Sequence, residues 1–352
     1  MDSAQLLDTI IMTLVKETGS DIHLMSGVYP AIRVHGEILP LAKLKVLDPS
    51  DTLGCLREMI NDTQYELLIH NQQLDFAYTH RGEYRLRGNA FFQKGSIAVV
   101  LRLITKIKSL PELNLPDVLL DFAHKKQGFF LVVGPVGQGK TTTLAALIDD
   151  INQKDRKMIV TIEDPIEYIY DSKNSYIMQR EVGFDAIDFE SGLHASFRQD
   201  LDVLLIGEMR NTETMRAAVT AAETGHLVFS TLHTNSASQT IDRIIDSFPA
   251  EQQGQIRSQL ASSLIGIFSQ RLIPKIGGGL VPAYELLVAT PAVQNLIREK
   301  RTFEIDTIIE TGSEYGMINF DTCLADLVRR GDITLESAMR LAKNPKVFGE
   351  MI

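Results

Sequence analysis

The run Gly134-Pro135-Val136-Gly137-Gln138-Gly139-Lys140-Thr141, with Thr142 after it, has a glycine, four further residues, then Gly-Lys-Thr. Closely spaced glycines let backbone N–H groups turn inward around an anion, and a helix N-terminus adds partial positive charge. In that arrangement Lys140 reaches β- and γ-phosphates and the Thr141 hydroxyl ligates Mg²⁺. The alternative is a glycine turn that binds nothing. The flanks decide between them: Gly128 to Val133 is a short apolar run that reads as a buried strand, and Thr142 to Ile148 has helical spacing.

Three further stretches could act on a bound phosphate. Glu163-Asp164-Pro165-Ile166-Glu167 follows the strand-like Ile159 to Ile162 and offers carboxylates to a magnesium-bound nucleotide, or merely the acidic start of a helix. Asp202 to Glu208 is an apolar strand delivering a carboxylate. Gly207 stands where such a strand usually ends in aspartate, so Glu208 becomes the candidate to polarise water or position Mg²⁺; otherwise it is an exposed loop residue. Thr224 to Asn235 sets His226 and His233 at the two ends of one strand, with His233 a candidate γ-phosphate sensor or a structural histidine. Seven residues apart, with no cysteine near, the two do not read as metal ligands. Arg85, Arg87 and Arg102 form either a solvated basic face or charge aimed at a phosphate on a neighbouring subunit.

The elements that must position these groups fall into two blocks. Residues 1–104 read as a small α+β domain. Leu6, Leu7, Ile10, Ile11 and Leu14 recur at helical spacing, 19–24 and 30–36 are extended, 50–72 is helical, and strands are expected around 75–78, 84–87 and 96–104. Residues 105–117, with Pro111 and Pro116, read as a linker. From 118 to 352 strands at 128–133, 158–162, 203–206 and 227–232 alternate with helices, among them 212–223 and 251–270, and the chain turns mainly helical from Ala292. Such alternation predicts a mainly parallel sheet, with the motifs at the carboxyl ends of its strands.

Composition narrows the class. No apolar run approaches the length of a membrane span, and no basic stretch precedes an apolar core at the N-terminus, so neither a span nor a signal peptide is expected. Two cysteines build neither a disulfide framework nor a four-cysteine zinc site, and a reducing cytosol is the expected compartment. A net charge of −10 and the lack of basic tracts argue against a nucleic-acid partner.

Together these residues resemble the secretion ATPase superfamily, and within it the retraction ATPases of type IV pili. The resemblance rests on the loop at 134–141, Thr161 to Glu167, Gln179 to Gly183, Leu204 to Arg210, Thr224 to Asn235 and Ser20 to Leu24. It implies a PAS-like N-terminal α+β domain, a RecA-like ATPase domain with a helical C-terminal appendix, and a homo-hexameric ring. It also implies ATP and Mg²⁺ as cofactors, with Glu163, Glu208, His226 and His233 as catalytic candidates and Arg85, Arg87 and Arg102 acting in trans. The implied work is pilus retraction, with a cytoplasmic ring held peripherally at the inner face of the membrane by a platform protein. The short N-terminus and missing zinc module are similar to the retraction branch. Ala292 to Glu299 resembles that branch's Ala-Ile-Arg-Asn-Leu-Ile-Arg-Glu motif, carried here by Leu296, Ile297 and Arg298, but departs at Val293 and Gln294. Leu201 replaces a common proline, and Gln138 a common loop serine. A second reading is an accessory or regulatory ATP-binding subunit of a pilus or type II secretion machine with weak hydrolysis.

Overall fold

The computed structural model describes residues 2–34, 36–104, 106–343 and 345–352. The expected extended segment at 30–36 therefore includes one position, His35, outside the described residues, as does the expected linker with Thr105. Two compact units emerge: residues 1–106 with the excursion Pro165–Ile169, and the remainder.

The first unit opens with α1 (Ser3–Lys16), whose N-terminus is capped by the Asp2 side chain accepting from Gln5 N at 2.7 Å. Its buried face is Leu6, Leu7, Ile10, Ile11 and Leu14, as the spacing predicts. Short strands β1 (Asp21–Leu24), β2 (Ala31–Val34) and β3 (Glu37–Pro40) follow. The segment expected to be helical over 50–72 forms two helices, α2 (Pro49–Arg57) and α3 (Asp62–Asn71). Asn61 starts the second through a reciprocal cap with Gln64, and that local bonding wins over helix continuity. Strands β4 (Gln73–His80), β5 (Tyr84–Gln93) and β6 (Ser96–Ile104) complete an antiparallel sheet ordered β3-β2-β1-β6-β5-β4. The helices close over a core that includes Ile22, Phe76, Leu86 and Leu101.

In the second unit, Leu110 and Leu115 from the proline-bearing segment are buried ahead of α4 (Val118–Ala123). Next come β7 (Gly128–Val133), α5 (Lys140–Lys154), β8 (Met158–Glu163), β9 (Tyr176–Glu181) and α6 (Phe189–Ser196). They are followed by β10 (Val203–Ile206), α7 (Thr212–Glu223), β11 (Leu227–Leu232), α8 (Ala237–Asp246) and α9 (Ala250–Ser263). The helix expected to run to Gln270 ends at Ser263. From Leu264 the chain is strand β12 (Leu264–Pro274), which returns as β13 (Leu280–Val288) through the Gly277–Gly279 turn.

The sheet order is β13-β12-β7-β11-β10-β8-β9, parallel except for β13. β7, β10 and β11 are buried along their whole length, which explains their unbroken apolar sequence. Helices α10 (Pro291–Arg298), α11 (Ile305–Thr311), α12 (Phe320–Arg329), α13 (Leu335–Leu341) and α14 (Pro345–Met351) form the tail. Among the described residues no helix is long and apolar enough to cross a membrane.

Candidate functional site

The glycine-rich loop leaves β7 and enters α5 at the carboxyl end of the parallel strands. Gly134 has φ 146°, and a Cβ there would lie 2.3 Å from the Gln270 carbonyl of β12, so no other residue fits without moving backbone. Gly137 and Gly139 are also left-handed, both at φ 76°. No side chain caps the N-terminus of α5, whereas Asn211 and Ser236 cap α7 and α8. The positive end of the α5 dipole thus lies at the loop, a setting that favours an anion. Val136 stands out at the loop tip, 79% exposed.

Lys140, on the first turn of α5, folds back under the loop. Its Nζ donates to Gly134 O at 2.8 Å and Pro135 O at 2.9 Å, and to His233 Nδ1 at 3.2 Å. An ammonium has donors only, so Nδ1 of His233 accepts and the ring proton sits on Nε2. That Nε2 faces Glu208 Oε2 at 3.4 Å, and Arg210 forms an ion pair with Glu208 Oε1. One polar chain, Lys140 to His233 to Glu208 to Arg210, therefore links the ends of β7, β11 and β10.

The strands fix this chain from below. Ser230 Oγ donates to Ile206 O at 2.9 Å and Thr231 Oγ1 to Gly207 O at 2.7 Å, so β11 grips the backbone just ahead of Glu208. Glu163 ends β8, buried, with its carboxylate accepting from Thr161 Oγ1 at 2.7 Å and Gln179 Nε2 at 3.4 Å. Arg210 also lies 3.8 Å from Asp164. Thr141, Glu163 and Glu208 offer oxygen donors, the set Mg²⁺ selects. Beside Gly139 and Thr142 opens a cavity of about 210 Å³, also lined by Leu115, Gln270, Leu272 and Pro282.

Other expected residues lie elsewhere. His226 precedes β11 and sits at its amino end, its Nδ1 3.0 Å from Ala221 O, a full strand away from His233. The expectation that every motif lies at a strand's carboxyl end is corrected for this residue. The acidic run divides: Glu163 and Asp164 stay with the second unit, while Glu167 belongs to the first. There it accepts from Arg87 at 2.8 Å, and Arg85 donates to Ile166 O at 3.2 Å. Arg102 lies directly across from Arg87 in the β5–β6 register and donates to Asp21 at 2.9 Å. In the α10 motif Leu296 and Ile297 are core residues, and Arg298 alone of the three is at the surface, 3.2 Å from Asn295. Arg210 and Gln270 were not singled out from sequence. For Gln270 the signal was an amide at the end of the mainly apolar stretch 264–270, hidden by reading that stretch as the end of a helix.

A glycine loop at the end of a parallel sheet, with its lysine wired to an imidazole and a strand-end glutamate, defines a phosphate-loop, nucleotide-binding hydrolase. The family model of Type II/IV secretion system protein matches residues 3–279, and the chain belongs to that family. It is similar to the type IV pilus retraction ATPase PilT of Pseudomonas aeruginosa, 43% identical over 334 residues, covering 95% of this chain and 97% of that protein. A twitching motility protein of Neisseria gonorrhoeae is 43% identical over 317 residues, covering 90% and 84% of the two chains. The crystal structure of the pilus retraction motor PilT with bound ADP superposes with a TM-score of 0.90 at 45% identity, covering 97% of this chain and 98% of that one.

Proposed function

We propose that this chain is an ATP-hydrolysing motor that retracts type IV pili and so drives twitching motility. The observation that carries the reading is the Lys140–His233–Glu208 chain at the sheet's carboxyl end, in a protein similar over nearly its whole length to a retraction ATPase. The loop amides and Lys140 hold the β- and γ-phosphates. Thr141, Glu163 and Glu208 would supply oxygen ligands to Mg²⁺, directly or through water, and the ion would neutralise charge on the phosphates. Glu208, an anion oriented by His233 and Arg210, draws on the proton of a water that attacks the γ-phosphorus as the bond to the β–γ bridging oxygen breaks. His233 touches both Lys140 and Glu208, so the imidazole reports loop occupancy to the carboxylate.

Further parts of the reading follow the resemblance. The first unit is PAS-like, the second RecA-like, and the working state is a homo-hexamer at the inner face of the membrane, engaged by a platform protein. Arg102, with Arg85 and Arg87 beside it, serves a neighbour's site.

Complementation tests this. In a piliated strain that lacks its retraction ATPase, the wild-type gene should restore twitching and Glu208→Gln should not, although the purified variant still binds ATP. Failure of a well-expressed, ATP-hydrolysing wild type to restore motility would overturn the motor reading in favour of the accessory subunit.

A further inference from the structure

Gln270 is 1% exposed, in the middle of an apolar strand. A buried amide is costly unless its polar atoms are bonded, so its partners indicate what it holds. Its Nε2 donates to the Gln138 carbonyl in the loop, and its Oε1 accepts from Thr143 Oγ1 of α5 at 2.6 Å. Because a carbonyl only accepts, the amide has one orientation, and both ends are satisfied. Gln138 returns the contact: its own Oε1 accepts from Leu272 N of the same strand at 2.7 Å. At the loop's other end, the Gln270 carbonyl is the atom that leaves no room for a Cβ on Gly134. Thus β12 meets the loop at its start through the Gln270 backbone carbonyl, before Gly139 through the Gln270 and Gln138 side chains, and the helix behind it through the Gln270 amide.

We infer that Gln270 is a positioning residue that clamps the phosphate loop in its phosphate-receiving shape before nucleotide arrives, with Gln138 as the loop's half of the clasp. The inference rests on the nucleotide-hydrolysing reading above. Gln270 does no chemistry. A loop already in shape binds without an ordering cost; a loop that is competent only part of the time binds with an affinity reduced by that fraction. Once ATP has bound and ordered the loop, Glu208 and His233 stand where they did. Removing the clamp therefore raises KM and leaves kcat, the mark of lost uniform binding.

The test is steady-state ATP hydrolysis by the purified full chain. Gln270→Leu, close in size and without polar atoms, should raise KM for ATP about ten-fold and change kcat by less than about two-fold, since two hydrogen bonds to the loop and its helix are lost. Thr143→Ser keeps the hydroxyl and should behave as wild type; Thr143→Val should raise KM about three-fold. This pair reads the clamp even if Gln270→Leu does not fold. An unchanged KM in folded Gln270→Leu, a fall in kcat at constant KM, or equal KM for Thr143→Ser and Thr143→Val would overturn the inference while leaving the ATPase reading intact. A wild type that binds no ATP would sink that reading, and the clamp with it.

Discussion

Two sets of cations in this chain are held in opposite ways. Lys140 donates to two loop carbonyls and to the His233 imidazole, acceptors that orient the ammonium. In the first unit Arg87 pairs with Glu167 and Arg102 with the buried Asp21. Those carboxylates also offset the repulsion of two arginines directly opposite each other in the sheet. Hydrogen bonds from an ammonium to loop carbonyls can be exchanged for bonds to an incoming phosphate at little cost. A cation on a carboxylate must leave that partner, or carry it along. The first arrangement suits constitutive binding of nucleotide, and the second suits a contact made only when another charge competes.

The largest expected effect therefore belongs to Lys140. Lys140→Ala should abolish tight nucleotide binding in titrations with ADP or ATP, because it removes the charge over the β- and γ-phosphates. Near-normal affinity in that variant would break the comparison at its stronger side.

Arg102 is next. If it serves a neighbour's site, Arg102→Ala should lower the hydrolysis rate on the order of 10³-fold while leaving nucleotide affinity near wild type; measured arginine fingers elsewhere span about 10³ to 10⁵. Its trans character is read by mixing. Glu208→Gln has an intact arginine and a dead site, and Arg102→Ala the reverse. After subunit exchange about a quarter of the interfaces join two good halves, so activity should return well above the mean of the two components. A mixture no better than that mean would leave Arg102 as the partner of Asp21 within its own sheet.

Much of the second unit was legible because β7, β10 and β11 are wholly buried strands, and each ends in a motif. Strands with mixed surroundings were harder to read. β12 follows α9 without a break, and its one local sign is Gly266, where a Cβ would meet the Phe122 ring at 2.7 Å. β9 is a sheet-edge strand with polar residues and gives no apolar run. The site was legible as far as residue types went: Lys140, Glu208 and His233 meet. The two ends of β11 are legible as well, but His226, at the amino end, is a catalytic candidate on the resemblance alone. The sequence could not show that Glu163 and Glu167, four residues apart, belong to different units.

Burial also divides the α10 motif, and this sharpens the contrast between binding machinery and surface. Leu296 and Ile297 pack in the core, so alanine at either tests stability, at roughly 2–5 kcal/mol for a full leucine or isoleucine truncation. Arg298→Ala is the informative change. It should leave the ATPase rate within about two-fold and the melting temperature unchanged, yet reduce twitching in cells if this surface transmits motion. Wild-type twitching with Arg298→Ala would confine the motif to a packing role.

The smallest effect concerns a cation that titrates. His124, at the end of α4, has Nδ1 3.0 Å from Asp155 and Nε2 2.9 Å from Asp150, so it ties α4 to the far end of the phosphate-loop helix. Partial burial disfavours the charged ring, but the hydrogen bonds to Asp155 and Asp150 outweigh it and raise the pKa above the usual 6.5. A raised folded-state pKa means that protonated His124 stabilises the fold fully below about pH 6.5, and that the contribution fades as pH climbs through the folded value. The side chain is about a third exposed, so solvent and salt screen the pair and the effect is modest. Melting curves of wild type and His124→Gln should differ by about 1–3 °C at pH 5.5 and converge by pH 8.5, with the gap shrinking in high salt. A constant gap across that range would mean that the imidazole acts there as a neutral hydrogen-bonding spacer, and the contrast between cations on carboxylates and cations on neutral acceptors would not extend to it.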